Sequence, residues 1–477
     1  MKSWSSLFAL AVCLMASGCA VEPTNQANKN ANASPLASAT VSPLPPDNKT
    51  SSKQSLTLPV LDAFFADDSF PATLKTRLQL NDEQISKLKE LAHSETVQLN
   101  EESMGQGERE SSTARAAATE KIGAVIGKEK TEQLAELVGE LWSGTAEAGA
   151  DKSAAPTSRE QSGKGPNAVP KDSRIVVNTP AYRMDVFDGG RLIKSYKVGI
   201  GYPEFPLPTG LRKASVIIFN PTWTPPDEPW VAKMKNVSAG EKVAAGSKLN
   251  PLGPIKIPIG GPSLIHGGKS PAKLGTFASH GCVGLTTPQV QDFAKLLAQL
   301  GGAQLTDAEV SDYEKNKTQT KQVKLERQVP VELRYETIVV EDGKLHIYRD
   351  VYDQETNTEE NLRAVLEANG VRFDDLTEAE RTQVLDALAH MSGKPDAAGT
   401  AKTNASPATA GSARSSSFAD RSSNAKKKTT AVAKNQKEIV IEIGALQGKG
   451  YPSPVAFDTG SGKTRATLST PPKRDKP

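Results

Sequence analysis

SLIHGGKSPAKLGTFASHGCVGLTTPQV, residues Ser263 to Val290, holds two of the chain's five histidines and the only cysteine beyond residue 19. Cys282 stands between Gly281 and Val283, with His280 two positions before it. A thiol is a nucleophile only as a thiolate, and an unperturbed cysteine is about 3% ionised at pH 7. A histidine beside it supplies the base that covalent acyl transfer needs. In an extended segment His280 and Cys282 point to one face. His266 follows a short apolar run and precedes Gly267-Gly268, which sets it at a strand end facing a cleft. Sequence mechanics leave the choice of base open between the two. Gly281 lets the backbone turn tightly beside the thiol, so that the N–H groups of His280, Gly281 and Cys282 converge on one point as an oxyanion hole.

Beyond this stretch, Thr287 and Pro288 suit an N-cap and first helical position, and predict a helix through Leu300 that Gly301-Gly302 ends. Upstream, SRIVVNTPAYRMDVFDGGRLIKSYKVGIG predicts a hairpin around Asp188-Gly189-Gly190. Short strands are expected at Val216 to Phe219, Ile255 to Ile257 and Ser263 to Ile265. A charged insert runs from Thr306 to Gln328, and a second hairpin is centred on Asp342-Gly343. Frequent Gly and Pro between short strands give a mostly-β domain with one or two helices over residues 172–352. A helical extension over 353–392 holds helices near Glu359 to Ala368 and Glu378 to Met391, with Thr377 and Glu380 as a capping box. Residues 393–477 read as a largely disordered tail in which KEIVIEIGAL makes one strand.

The chain is 477 residues long with a net charge of +3, too small to argue for nucleic acid. Residues 1–18 form an export signal: Lys2, then an apolar run from Leu7 to Met15 that is too short to span a bilayer. Ala16, Ser17 and Gly18 lead directly to Cys19, which resembles a bacterial lipobox and implies lipidation of Cys19. Loss of Cys13 with the signal and lipidation of Cys19 leave Cys282 without a disulfide partner. Residues 19–55 are a polar tether with a root-mean-square span of roughly 35 Å. A helical module occupies 56–145, with Asn81 and Gln84 as a capping box, Leu80 and Ile85 as a staple, and a second helix from Ala114 to Trp142. Residues 146–171 are a linker. His93, His346 and His390 read as structural or surface residues.

The motif IHGG at Ile265 to Gly268, followed by SHGCVGL at Ser279 to Leu285, resembles the signature of the YkuD-type L,D-transpeptidases. VFDGGRLIKSYKVGIGYPEFPLPTG is similar to that family's opening hairpin and Pro-Thr-Gly turn, and NPTW at Asn220 and NPLGP at Asn250 match its landmarks in order. The resemblance implies a β-sandwich-like domain with a cleft over the cysteine motif and no cofactor or metal. It implies Cys282 as nucleophile and His266 as general base, oriented through the Gly267 carbonyl. It also implies a loop shaped by Ser279 and His280. The implied substrate is a peptidoglycan stem tetrapeptide: Cys282 attacks the carbonyl of the third residue, D-Ala leaves, and an amine takes the acyl group. Carbapenems are expected to acylate the same thiol. The lipid anchor implies a periplasmic protein held at the outer membrane of a diderm cell. No partner for the helical module can be read.

Two positions depart from the family pattern. Gly284 stands where many members carry Arg, and Gly268 where Thr is usual; Lys269 or Lys273 are the cations nearby in sequence. Other readings of the same residues are a buried structural cysteine, or a metal site from His266, His280 and Cys282. An L,D-carboxypeptidase and a peptidoglycan-binding scaffold without turnover are further possibilities.

Overall fold

The computed structural model describes residues 56–99, 111–142, 165–226, 231, 234–392 and 436–460. The signal segment, Cys19, the tether and most of the 146–171 linker lie outside the described residues.

The N-terminal module contains five helices among the described residues: α1 (Leu58–Phe65), α2 (Phe70–Leu78), α3 (Asp82–Val97), α4 (Ser111–Ile126) and α5 (Lys128–Trp142). Asn81 caps α3 through the expected reciprocal bonds with Gln84. Leu61, Leu74, Leu88, Ile122 and Leu134, one from each helix, are fully buried in one core. The single helix expected from Ala114 to Trp142 is instead α4 and α5. Gly127, at φ +81°, breaks it, because a left-handed turn there is open to glycine without a Cβ penalty.

The β-rich unit is built on β1 (Arg174–Asn178), β2 (Arg183–Asp188), β3 (Arg191–Lys197), β4 (Ile200–Gly201), β5 (Gly210–Phe219), β6 (Ile255–Pro258), β7 (Leu264–His266), β8 (Phe277–Ser279), β9 (Val283–Gly284) and β10 (Lys321–Arg334). Eight of these form one sheet in the order β3-β2-β1-β10-β5-β6-β7-β9, and β4 pairs with β8. Helix α6 (Thr287–Leu300) covers one face, where Val290, Phe293 and Leu297 meet Ile175, Val177, Ile217 and Ile265. Its N-cap is Thr286, not Thr287: the Thr286 side chain accepts the Gln289 N–H, and Pro288 sits in the first turn.

The charged insert expected from Thr306 to Gln328 is not a surface loop. It forms α7 (Asp307–Lys315) and then enters β10, a central strand that pairs antiparallel with β5 and parallel with β1. The run from Lys324 to Val329 bulges out of that register, so its charges stay at the surface.

The second face of the sheet is covered as well. β11 (Ile338–Glu341), β12 (Lys344–Tyr348) and β13 (Glu438–Glu442) form a second sheet. Val339, Tyr348 and Tyr451 pack on Val176, Phe187 and Leu192 across the gap. Helices α8 (Glu359–Ala368) and α9 (Glu378–Met391) close this sheet's other side through Leu362, Val365, Leu366, Val384 and Leu388. The result is a β-rich, sandwich-like architecture with helices. The 338–348 hairpin shares its core with the helical extension, and residues 436–460 are built into the fold, with a strand in KEIVIEIGAL present as β13. β13 pairs with β12, and the Val455 and Asp458 carbonyls accept N–H groups of β3, covering an open edge.

Candidate active site

β7 and β9 lie side by side and parallel, with Ile265 opposite Val283 and His266 opposite Gly284. Ile265 and Val283 are fully buried against the α6 core. Side chains alternate along a strand, so His266 and Gly284 project to the other face. Cys282 stands two residues before Gly284, in the turn that leads into β9. The Lys269 charge acts on both the thiol and the His266 imidazole.

His266 is 3% exposed, and its Nδ1 lies 2.8 Å from the Gly267 carbonyl. A carbonyl oxygen only accepts, so Nδ1 donates and Nε2 is left with its lone pair. Burial, joined by the positive charge of Lys269, pushes the imidazole down to about 3, against the opposing pull of the Gly267 and Leu252 carbonyls. The ring is a neutral base at physiological pH.

Cys282 is partly exposed. Burial of its surroundings pushes the thiol up, with a Leu264 N–H and the Lys269 charge working the other way. Both shifts favour the neutral thiol and the neutral imidazole. Proton transfer then has to accompany attack.

The turn that presents Cys282 is locked by Ser279. Its hydroxyl donates to the Cys282 carbonyl at 2.5 Å and accepts the Cys282 N–H at 3.0 Å. Gly281 takes φ +88° to make this turn. The Cys282 N–H expected in an oxyanion hole is therefore already engaged by Ser279. The His280 ring lies edge-on to Tyr202 and Phe205, at 5.4 Å and 4.8 Å between centroids. Burial and Lys269 push it, too, down to about 3.

Both glycine departures have a physical reason. Gly268 sits at φ +80°, and a Cβ there would meet Gly253 N at 3.0 Å and Pro251 O at 3.1 Å. The NPLGP loop leaves no room for a threonine. At Gly284 a Cβ would meet Lys269 Cγ at 2.8 Å and Cε at 3.0 Å. The stem of Lys269 fills the space that a longer residue 284 would take. Lys269, not Lys273, is the cation whose charge acts on Cys282, His266 and His280. Lys273 sits exposed in the short 3₁₀ turn Pro271–Lys273. A Cβ on Gly267 would come within 2.6 Å of Val290 Cγ1, which ties the loop after His266 to α6.

Sequence reasoning passed over Tyr202 and Phe205, which wall His280, and Leu252, whose carbonyl faces His266. Two aromatics within GYPEFPLPTG were the signal for the first pair. Among the described residues, no group of three or more His, Cys, Asp or Glu could hold a metal ion. No helix among them is long and apolar enough to cross a membrane.

Residues 172–323 match the family model of the YkuD L,D-transpeptidase catalytic domain. The family read from the IHGG and SHGCVGL motifs is the family matched. A search of curated proteins finds no match to the chain. Among solved structures, the chain is similar to the catalytic domain of the E. faecium L,D-transpeptidase, with 15% identity and a TM-score of 0.22 over 34% of this chain and 98% of that one. It is also similar to an L,D-transpeptidase from Mycobacterium smegmatis, with 14% identity and a TM-score of 0.21 over 34% of this chain and 58% of that one. A third similarity is to the Ldtfm–avibactam carbamoyl enzyme, with 15% identity and a TM-score of 0.22 over 34% of this chain. The matched part spans about half of that chain's length, 49%.

Proposed function

We propose that the protein is a cysteine acyltransferase of the L,D-transpeptidase type, acting on peptidoglycan stem tetrapeptides. The observation that carries this reading is the hydrogen bond from His266 Nδ1 to the Gly267 carbonyl at 2.8 Å. It fixes the tautomer and leaves Nε2 as a proton acceptor, with the Lys269 charge felt by both His266 and Cys282. The family match over residues 172–323 supplies the substrate class.

In the proposed reaction the Cys282 thiol attacks the carbonyl of the third stem residue as its proton passes to His266 Nε2. The oxyanion forms against the N–H groups of the His280–Gly281 turn. His266 returns the proton to the departing D-Ala amine, leaving a thioester. An acceptor amine then attacks the thioester, gives its proton to His266, and the thiol is regenerated. A neutral imidazole with Nδ1 held by a carbonyl can accept a proton at Nε2 and then return it. The Lys269 ammonium, beside thiol and imidazole, is suited to a substrate carboxylate. A cation at this place, with Gly284 beside it, supports turnover over a binding scaffold. With Cys19 lipidated, the domain would act from a membrane anchor within reach of the cell wall.

The test is incubation of the mature protein with a disaccharide-tetrapeptide and mass spectrometry of the products. Release of D-Ala with crosslinked dimers, both lost in Cys282→Ala, is expected. Free tripeptide without dimers would make the enzyme a carboxypeptidase. Retained binding with no D-Ala release would overturn the enzymatic reading.

A further inference from the structure

We propose that the helical module is a positioning element for the thiol turn, acting through the loop from Tyr202 to Leu207. The loop's own sequence explains why it needs one. Pro203, Pro206 and Pro208 carry no N–H, so YPEFPLP has few backbone donors and cannot build a ladder of its own. Its carbonyls are taken instead by side chains from elsewhere. The buried Thr57 hydroxyl, at the start of α1, donates to the Glu204 carbonyl at 2.7 Å. The buried Ser111 hydroxyl, at the start of α4, donates to the Pro203 carbonyl at 2.8 Å. Leu99, just past α3, packs against Tyr202 and Phe205 in one small apolar cluster.

A fourth contact reaches the loop from below. The fully buried Tyr352 accepts the Leu207 N–H on its hydroxyl and donates to the Gly201 carbonyl at 2.8 Å. Arg115 of α4 grips the same segment, donating to the Tyr352 and Asp353 carbonyls at 2.8 Å and 2.7 Å. The module therefore holds the loop directly and holds its support.

The loop is in turn joined to the thiol. The Tyr202 N–H donates to the Ser279 carbonyl at 2.8 Å, and the Ser279 hydroxyl closes the turn on Cys282. Tyr202 and Phe205 also bracket the His280 ring. Thr57, Leu99, Ser111 and Arg115 are positioning residues: none approaches the reacting atoms, and all act on them through Tyr202 to Leu207. A small displacement of a reacting group is enough to lower a rate by about a hundredfold.

This inference rests on Cys282 as the reactive thiol, and its test reads that thiol apart from turnover. Full-length mature protein is made as Leu99→Ala, Ser111→Ala and Arg115→Gln, with Leu99→Met and Ser111→Thr as conservative variants. Cys282 alkylation by iodoacetamide is followed across pH, alongside kcat, KM and melting temperature. A fall in kcat of about tenfold or more is expected, with KM near wild type. The alkylation profile should be displaced, and the conservative variants should restore it. Unchanged alkylation in the folded Ala and Gln variants would overturn the inference. So would a kcat loss that merely tracks melting temperature without rescue. If wild type releases no D-Ala, the transpeptidase reading fails, and the alkylation profiles still decide the positioning role.

Discussion

Lys269 lies over Gly284: its Cγ and Cε would stand 2.8 Å and 3.0 Å from a Cβ placed there. The missing side chain at 284 and the cation at 269 are complementary, so one residue's absence makes the other's position possible. The ammonium depresses thiol and imidazole alike, because a nearby positive charge favours thiolate over thiol and neutral imidazole over imidazolium. Lys269→Met should therefore raise both. The alkylation profile of Cys282 is expected to move to higher pH, and KM for a substrate with a free carboxylate should rise. In Lys269→Ala with Gly284→Arg, where the stem that blocks residue 284 is gone, the arginine enters the vacated space and should recover much of the KM. Unaltered kinetics in the single variant would remove Lys269 from the substrate site.

The neutral resting pair sets a second expectation. His266, pushed down to about 3, stays unprotonated through the mildly acidic range, while desolvation pushes the partly exposed thiol up. Alkylation of the free enzyme should thus climb with pH into the alkaline range, with no inflection between pH 6 and 7. His266→Ala should cut turnover at neutral pH by about 10²–10⁴. A wild-type thiol that is fully reactive at pH 6 would contradict this picture and favour a preformed ion pair.

Much of the architecture was readable where local chemistry decides it. The turn at Asp342-Gly343 takes the positive φ values its residues favour, and Thr377 closes its capping box with Glu380. The motif residues His266, Ser279, His280 and Cys282 come together because alternation and a tight glycine turn are local. What stayed hidden depends on distant partners. Lys321 to Lys324 of the charged insert enter a central strand, because pairing to β5 is settled by topology. Arg174 and Arg183 are buried, and sequence alone does not pair them. Arg174 pairs with Asp172 and Glu332, and Arg183 with Asp185 and Glu341. The contacts of Thr57, Leu99 and Ser111 were illegible for the same reason: Thr57 and Ser111 meet partners 147 and 92 residues away, and Leu99 packs on Tyr202 and Phe205.

The two depressed histidines at the site also predict an acid weakness. His266 and His280 lie at about 3 in the fold, against an ordinary value of 6.5. Between those values the unfolded chain binds protons that the folded one refuses, so stability is full above about pH 6.5 and is lost as pH falls toward 3. Melting temperature should drop steadily from pH 7 to pH 4. The drop should be shallower in His280→Gln, which removes one of these protonations. Parallel curves for variant and wild type would show that other groups control acid unfolding.

The last prediction concerns residues 436–460. Ile441 and Ile443 are 1% exposed and Leu446 is fully buried in the core beneath α8 and α9, so the segment is load shared by the second sheet. Its continuation lays the Val455 and Asp458 carbonyls on the N–H groups of Ser195 and Lys197, and Gln289 of α6 donates to the Asp458 carbonyl at 2.9 Å. One stretch of chain thus ties the second sheet, the edge of the first and the helix that follows the thiol motif. Ile441→Ala should cost about 2–5 kcal/mol, the range for deleting a large buried aliphatic side chain. Ending the chain before residue 436 should bare the β12 and β3 edges and yield aggregated protein. Denaturant unfolding of the point variant, with light scattering of the truncated chain, checks both. A truncated chain that stays monomeric and melts at the wild-type temperature would mean the first sheet and its helices hold the fold without this segment.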